Sequence, residues 1–180
     1  MRPVMKKIIA LLLLVNVSAY AAETKDYQLY DEQLNISLHT DLKKQSKSTI
    51  KKRYAKQSVP PNYAFSNKDN NVTFTFTQYP TPAEKASMNK IHKAISNMLR
   101  KANDDASWKK DKVYTRLGTK IVVYEYETKG IGKYQYNITY ALPIDGKLTF
   151  LSFVTTEKKY KKKWVGFARE SLDSIELTKR

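Results

Sequence analysis

The sequence predicts an α+β domain, with one antiparallel sheet of about six strands carrying a long central helix and a C-terminal helix. Three observations predict it. Residues 81–102 place Met88, Ile91, Ile95, Met98, Leu99 and Ala102 along one stripe of a helix. Segments of strand-like alternation lie on both sides of that stretch, so the helix must cover a sheet drawn from both halves of the chain. A second apolar stripe, Tyr160, Trp164, Phe167, Ala168, Ser171, Leu172 and Ile175, marks a closing helix over about 158–172.

Taken in order, residues 1–21 have the form of a secretory signal peptide. Arg2, Lys6 and Lys7 precede an apolar run from Ile8 to Val15, and Ala19-Tyr20-Ala21 offers a small-x-small cleavage site. The run is shorter than the roughly 20 residues a membrane span needs. Met5 is a second candidate start, because the basic and apolar regions both follow it. Cleavage after Ala21 leaves residues 22–180 as a single domain, long enough to bury close to ~70% of its unfolded surface.

Residues 27–38 read as strand, turn, strand, with Leu34, Ile36 and Leu38 alternating with polar residues. A basic stretch over 42–57 holds Ile50 and Tyr54 at helical spacing, with Ser48 as a cap, and Val59-Pro60-Pro61 ends it. Residues 62–78 form a hairpin around the Asn67–Asn71 turn, in which Val72, Phe74 and Phe76 face the core and Thr73, Thr75 and Thr77 the wetter side. The central helix is signalled by Thr81 as cap, Pro82 at the first helical position and Glu84 closing a T-x-x-E box. Asn103-Asp104-Asp105 ends it.

Further strands at 113–116, 120–128, 133–142 and 148–155 are joined by short turns at Gly118-Thr119, Gly130–Gly132 and Pro143–Gly146, the pattern of an antiparallel meander. Tyr134, Tyr136, Ile138 and Tyr140 share one strand face. Large residues on both faces of 147–154 predict a central strand covered on each side.

Composition narrows the class. There is no cysteine, hence no disulfide, no thiol nucleophile and no lipid-modified cysteine after the leader. With two histidines and no H-x-x-x-H spacing, no zinc site and no other metal or cofactor is expected. His92, at the edge of the central helix stripe, reads as a boundary histidine half buried beside the core. Asp104-Asp105 reads as a helix-ending turn rather than an acid–base pair, and no phosphate loop, dinucleotide or G-x-S-x-G motif occurs. The expectation is a protein that is not an enzyme.

The order of these segments resembles the Mog1/PsbP-like fold, and within it the small bacterial envelope proteins related to DcrB. The residues that carry the resemblance are LYDEQLNISLHTDL, then VTFTFTQYP running into TPAEKASMNKIHKAISNML, then the meander KIVVYEYETKGIGKYQYNITYALPIDGKLTFLSFVTT, and the closing ESLDSIEL. It covers nearly all of residues 27–177. The resemblance implies a non-enzymatic accessory protein, chaperone or binding partner, and brings no catalytic set with it. It also implies a lipoprotein for DcrB itself, from which this chain departs by lacking the cysteine.

Charge supplies the candidate sites. The chain holds 33 Lys and Arg against 17 Asp and Glu, a formal charge of +16. The leader contributes Arg2, Lys6 and Lys7, leaving about +13 on the mature protein, a charge that steers association with acidic partners. Two clusters are candidates for partner or anion binding: Lys158, Lys159, Lys161, Lys162 and Lys163, beside Tyr160 and Trp164, and Lys43, Lys44, Lys51, Lys52 and Arg53. The spacing also fits Tyr160 and Trp164 facing the core with the lysines merely solvated.

The function expected is that of an exported, periplasmic or secreted binding module, an accessory or immunity/inhibitor-type protein of the bacterial envelope that meets an acidic protein partner through a basic, tyrosine-rich surface. The alternative is binding of an anionic polymer or membrane surface, such as lipopolysaccharide, phospholipid or nucleic acid.

Overall fold

The computed structural model describes residues 23–129 and 134–178, so the signal-peptide reading and the Gly130–Gly132 turn fall outside it. Its largest element is a seven-stranded antiparallel sheet. The strands are β3 (Lys43–Lys44), β4 (Tyr63–Ser66), β5 (Val72–Pro82), β6 (Ser107–Arg116), β7 (Thr119–Thr128), β8 (Gln135–Ile144) and β9 (Lys147–Thr155). Their order is β3-β4-β5-β9-β8-β7-β6, with β9 in the middle. That is the covered central strand the two-sided pattern of 147–154 predicts. Leu151 and Phe153 enter the core on one side and Leu148 the core on the other.

The opening strand pair does not join this sheet as a single sheet would require. β1 (Thr24–Leu29) and β2 (Leu34–His39) pair with each other, and β2 also pairs with the two-residue β10 (Glu176–Leu177). The physical reason lies in their alternation. Leu29, Leu34, Ile36 and Leu38 all face one way and are buried against Phe65, Phe74, Phe76 and Phe153. The pair is therefore a second layer laid on the main sheet rather than an extension of its edge.

The helix α3 (Lys161–Asp173), entered through a 3₁₀ turn at Lys158–Tyr160, completes that layer. Trp164, Val165, Ala168, Ser171 and Leu172 are its buried residues; the sequence stripe predicts all of these but Val165, and Phe167 of that stripe is half buried. The Ser37 N–H on β2 donates to Ser174 Oγ at 2.9 Å, stitching the start of the domain to its end.

The opposite face carries α2 (Met88–Ala102), which starts later than 81. Thr81 and Pro82 remain in β5, where Pro82 pairs with Lys147 beyond a bulge. Strand β4 stops opposite Phe76, so that end of β5 is an open edge, where a proline has no ladder hydrogen bond to forfeit. The N-cap position falls instead to Ser87, whose hydroxyl makes no cap bond to the helix but accepts from the Glu84 N–H and donates to the Glu84 carbonyl in the preceding turn. The T-x-x-E box is thus corrected by strand pairing.

The α2 stripe settles on Val122, Tyr124, Ala141 and Leu148 with Met88 fully buried and Ile91, Ile95 and Leu99 half covered. Burial of Met88 alone is worth about 1.5–3 kcal/mol. Met98 remains 59% exposed, because the helix is rolled so that a polar row, His92, Ser96 and Arg100, meets Asp111 on β6. His92 is half buried there, as expected.

Two further corrections are local. The short helix α1 (Lys47–Arg53) is capped by Ser46, which accepts from the Thr49 N–H, and not by Ser48. Thr73 and Thr77 are buried rather than wet; Thr73 lies beneath Arg53, whose guanidinium donates to its hydroxyl at 3.2 Å.

Candidate functional site

The β4–β5 hairpin, β3 and the first turn of α3 converge to position the basic residues. Lys43 and Lys44 pair with Ser66 and Phe65, so the register of two short strands fixes where their side chains emerge. Lys43 Nζ donates to the Thr40 carbonyl at 2.9 Å, and Lys44 Nζ stands 5.0 Å from the Tyr63 ring centroid. Both border an open recess of about 780 Å3 with Lys68 of the hairpin turn and Trp164 of α3. Lys163 Nζ lies 5.6 Å from the Trp164 ring centroid. The recess thus gathers two residues of one predicted cluster, Lys43 and Lys44, and Trp164 on its border is in turn approached by Lys163 of the other. Asp41 and Asp69 also border it, which limits its net charge.

The remaining candidates are dispersed. Lys51, Lys52 and Arg53 form the last turn of α1, where cations complement the helix dipole. Lys51 borders a separate apolar groove of about 550 Å3 with Ile50, Tyr54, Pro60 and Pro61. Arg53 is committed to the hairpin turn through Asn70 Oδ1 at 3.0 Å. Lys158 and Lys162 are exposed, and Lys159 pairs with Glu157 at 3.1 Å.

Lys161 has a structural post. Its Nζ donates to Glu127 Oε2 at 2.7 Å and lies 4.7 Å from the Tyr136 ring centroid. That hydrogen bond holds the Glu127 carboxyl below its ordinary value. One register step along β7, Glu125 is 1% exposed and receives Tyr136 Oη–H and the Arg169 guanidinium, with Lys110 Nζ at 3.7 Å. Burial alone would raise the Glu125 carboxyl, but these hydrogen bonds and the charges of Arg169 and Lys110 outweigh it and keep the group low. Two buried carboxylates on β7 therefore clamp α3, and this pairing was not read from the sequence. Its one sequence signal is the pair Glu125 and Glu127 following the apolar run Ile121–Tyr124, since buried charges require partners.

The tyrosines are used mostly for packing. Tyr124, Tyr136 and Tyr140 are buried, and among the described residues Tyr114 is the exposed one. Burial raises the Tyr124 and Tyr136 hydroxyls above their ordinary range. Also among the described residues, no group of three His, Cys, Asp or Glu could hold a metal ion, and no helix is long and apolar enough to cross a membrane.

No protein-family model and no curated protein matches this sequence. Solved structures do match its fold. The cyanobacterial PsbP (CyanoP) of Synechocystis aligns with a TM-score of 0.60 and 12% identity over 89% of this chain and 96% of that one. The Ran-binding protein Mog1p of Saccharomyces cerevisiae aligns with a TM-score of 0.54 and 8% identity over 87% and 96%. LpqN of Mycobacterium tuberculosis, described as involved in cell envelope biogenesis, aligns with a TM-score of 0.54 and 10% identity over 87% and 91%. At such identities the likeness is one of fold, and the narrower kinship with DcrB rests on the sequence resemblance alone. The chain has a Mog1/PsbP-like fold.

Proposed function

We propose that the protein is an exported, non-enzymatic binding module of the bacterial envelope, of accessory or immunity/inhibitor type, that meets an acidic protein. The observation that carries this reading is the recess at Trp164, where Lys43, Lys44 and Lys68 gather with Lys163 alongside. Lysine stems offer apolar contact, and the ammonium groups select a carboxylate-rich surface. The excess of cations over the whole chain speeds encounter with such a partner. The fold supports the reading by analogy, since Mog1p binds Ran and LpqN is involved in envelope biogenesis. Export and an envelope location follow from the leader read in residues 1–21.

The test compares the mature protein with a variant carrying Lys43→Gln, Lys44→Gln, Lys68→Gln and Lys163→Gln. Each is immobilised and exposed to envelope extract at moderate salt. A protein retained by the wild type and lost by the variant, with equal melting temperatures, supports the reading. Equal retention by both, or retention of anionic liposomes or DNA in place of any protein, overturns it.

A further inference from the structure

On the face that carries α3, the C-terminal end of the helix meets the outer strand β6 through Arg116, and the rest of the helix stands back from that strand. A cleft of about 370 Å3 is left between α3, β6 and β7, away from the Trp164 recess. Ile121, Val123 and Tyr140 supply its apolar surface, and Lys110, Arg116 and Arg169 supply cations around it. Tyr114 borders it and is 43% exposed, the one large aromatic side chain among the described residues that the fold leaves uncovered. The volume lies in the range of small-ligand sites.

The cations differ in how far they are committed. Arg116 is held by Asp173 and by backbone carbonyls at the end of α3, and Arg169 by Glu125. Lys110 is at 3.7 Å from Glu125 Oε2, too far for a hydrogen bond, and that buried oxygen has no donor. The Lys110 ammonium thus keeps its donors free at the mouth of an apolar cleft. Glu125 already has the Arg169 guanidinium and Asp173 has Arg116, so an added anion shares Lys110 with a carboxylate that keeps a second charged partner.

We propose that this cleft binds a small amphiphilic anion, a carboxylate or sulfonate on an aromatic or short aliphatic body. The body lies against Tyr114, Val123 and Tyr140, and the headgroup takes Lys110. This site is separate from the recess assigned to the protein partner, and stands or falls independently of it.

The probe is 8-anilinonaphthalene-1-sulfonate, titrated into the full mature protein with fluorescence as readout. Saturable binding is expected, weakened about tenfold by Lys110→Gln through loss of one charge-assisted hydrogen bond. Tyr114→Ala, which removes an exposed ring and leaves the core intact, is expected to weaken it severalfold. Tyr54→Ala, in the apolar groove beside α1, should leave it unchanged. Benzoate and decanoate should displace the probe, and benzyl alcohol should not. Absence of saturable binding, equal affinity in Tyr114→Ala, loss in Tyr54→Ala alone, or equal displacement by the neutral alcohol would each overturn the proposal. Should Lys110→Gln fail to fold, Tyr114→Ala decides.

Discussion

Lys161 in the first turn of α3 is hydrogen-bonded to Glu127 on β7 at 2.7 Å. A cation that reads as part of a solvated basic run is therefore a fastener between helix and sheet, while its neighbour Lys162 is exposed. Sequence adjacency says nothing about which lysine is committed, because successive helix residues point in different directions.

This pair predicts a split within the run. Lys161→Gln should destabilise the domain by about 1–3 kcal/mol, since it leaves a nearly buried carboxylate without its charged partner. Lys162→Gln should stay within about 0.5 kcal/mol. Urea unfolding followed by circular dichroism measures both, and equal effects would refute the assignment.

Asp111 fastens the other helix. It accepts from His92 Nε2–H at 2.7 Å, Ser96 Oγ–H at 2.6 Å and Arg100 at 2.6 Å. Asp111→Ala should cost about 2 kcal/mol, discounted from a buried network because Arg100 is half exposed. The loss should appear first in α2, as faster amide exchange there than in β9.

Acid should weaken the fold through the same groups. The Asp111 and Glu125 carboxyls both lie below their ordinary values; burial opposes this, and their hydrogen-bond donors and neighbouring cations prevail. Groups depressed in the native state bind more protons unfolded, so their contribution is complete above about pH 5 and falls as pH drops from the unfolded value near 4 through the folded one. The urea midpoint should be flat from neutrality to that point and then decline. In Glu125→Gln the midpoint at pH 7 should be lower and the acid decline shallower.

Helix boundaries give the fourth test. Ser46 caps α1 by accepting from Thr49 N–H, so Ser46→Ala should cost about 1 kcal/mol. Thr81 lies in β5 and caps nothing, so Thr81→Ala should cost less than about 0.5 kcal/mol. A larger loss at Thr81 than at Ser46 would restore the T-x-x-E reading.

The comparison of Thr81 with Ser87 shows where local reading stops. Thr81, Pro82 and Glu84 carry every mark of a helix start, yet the pairing of Pro82 with Lys147 keeps the chain extended. That partner arrives from a hairpin far along the chain, and no window around Thr81 contains it. The two basic clusters behave likewise. Trp164 and Lys43 share a recess because β3 pairs with β4 while α3 packs on β2. The cleft by Tyr114 was not read from the sequence, because it arises from what α3 fails to cover.

From sequence alone came the α+β class, the meander with β9 as a covered strand, the two amphipathic helices and the excess of cations, all properties of periodicity and composition that act over a few residues. The tertiary structure alone decided that β1 and β2 form a second layer, that α2 begins at Met88, and that Glu127 engages Lys161. Those outcomes depend on contacts between distant residues, whose free energy outweighs a local preference of about 1 kcal/mol once buried surface and paired charges are at stake.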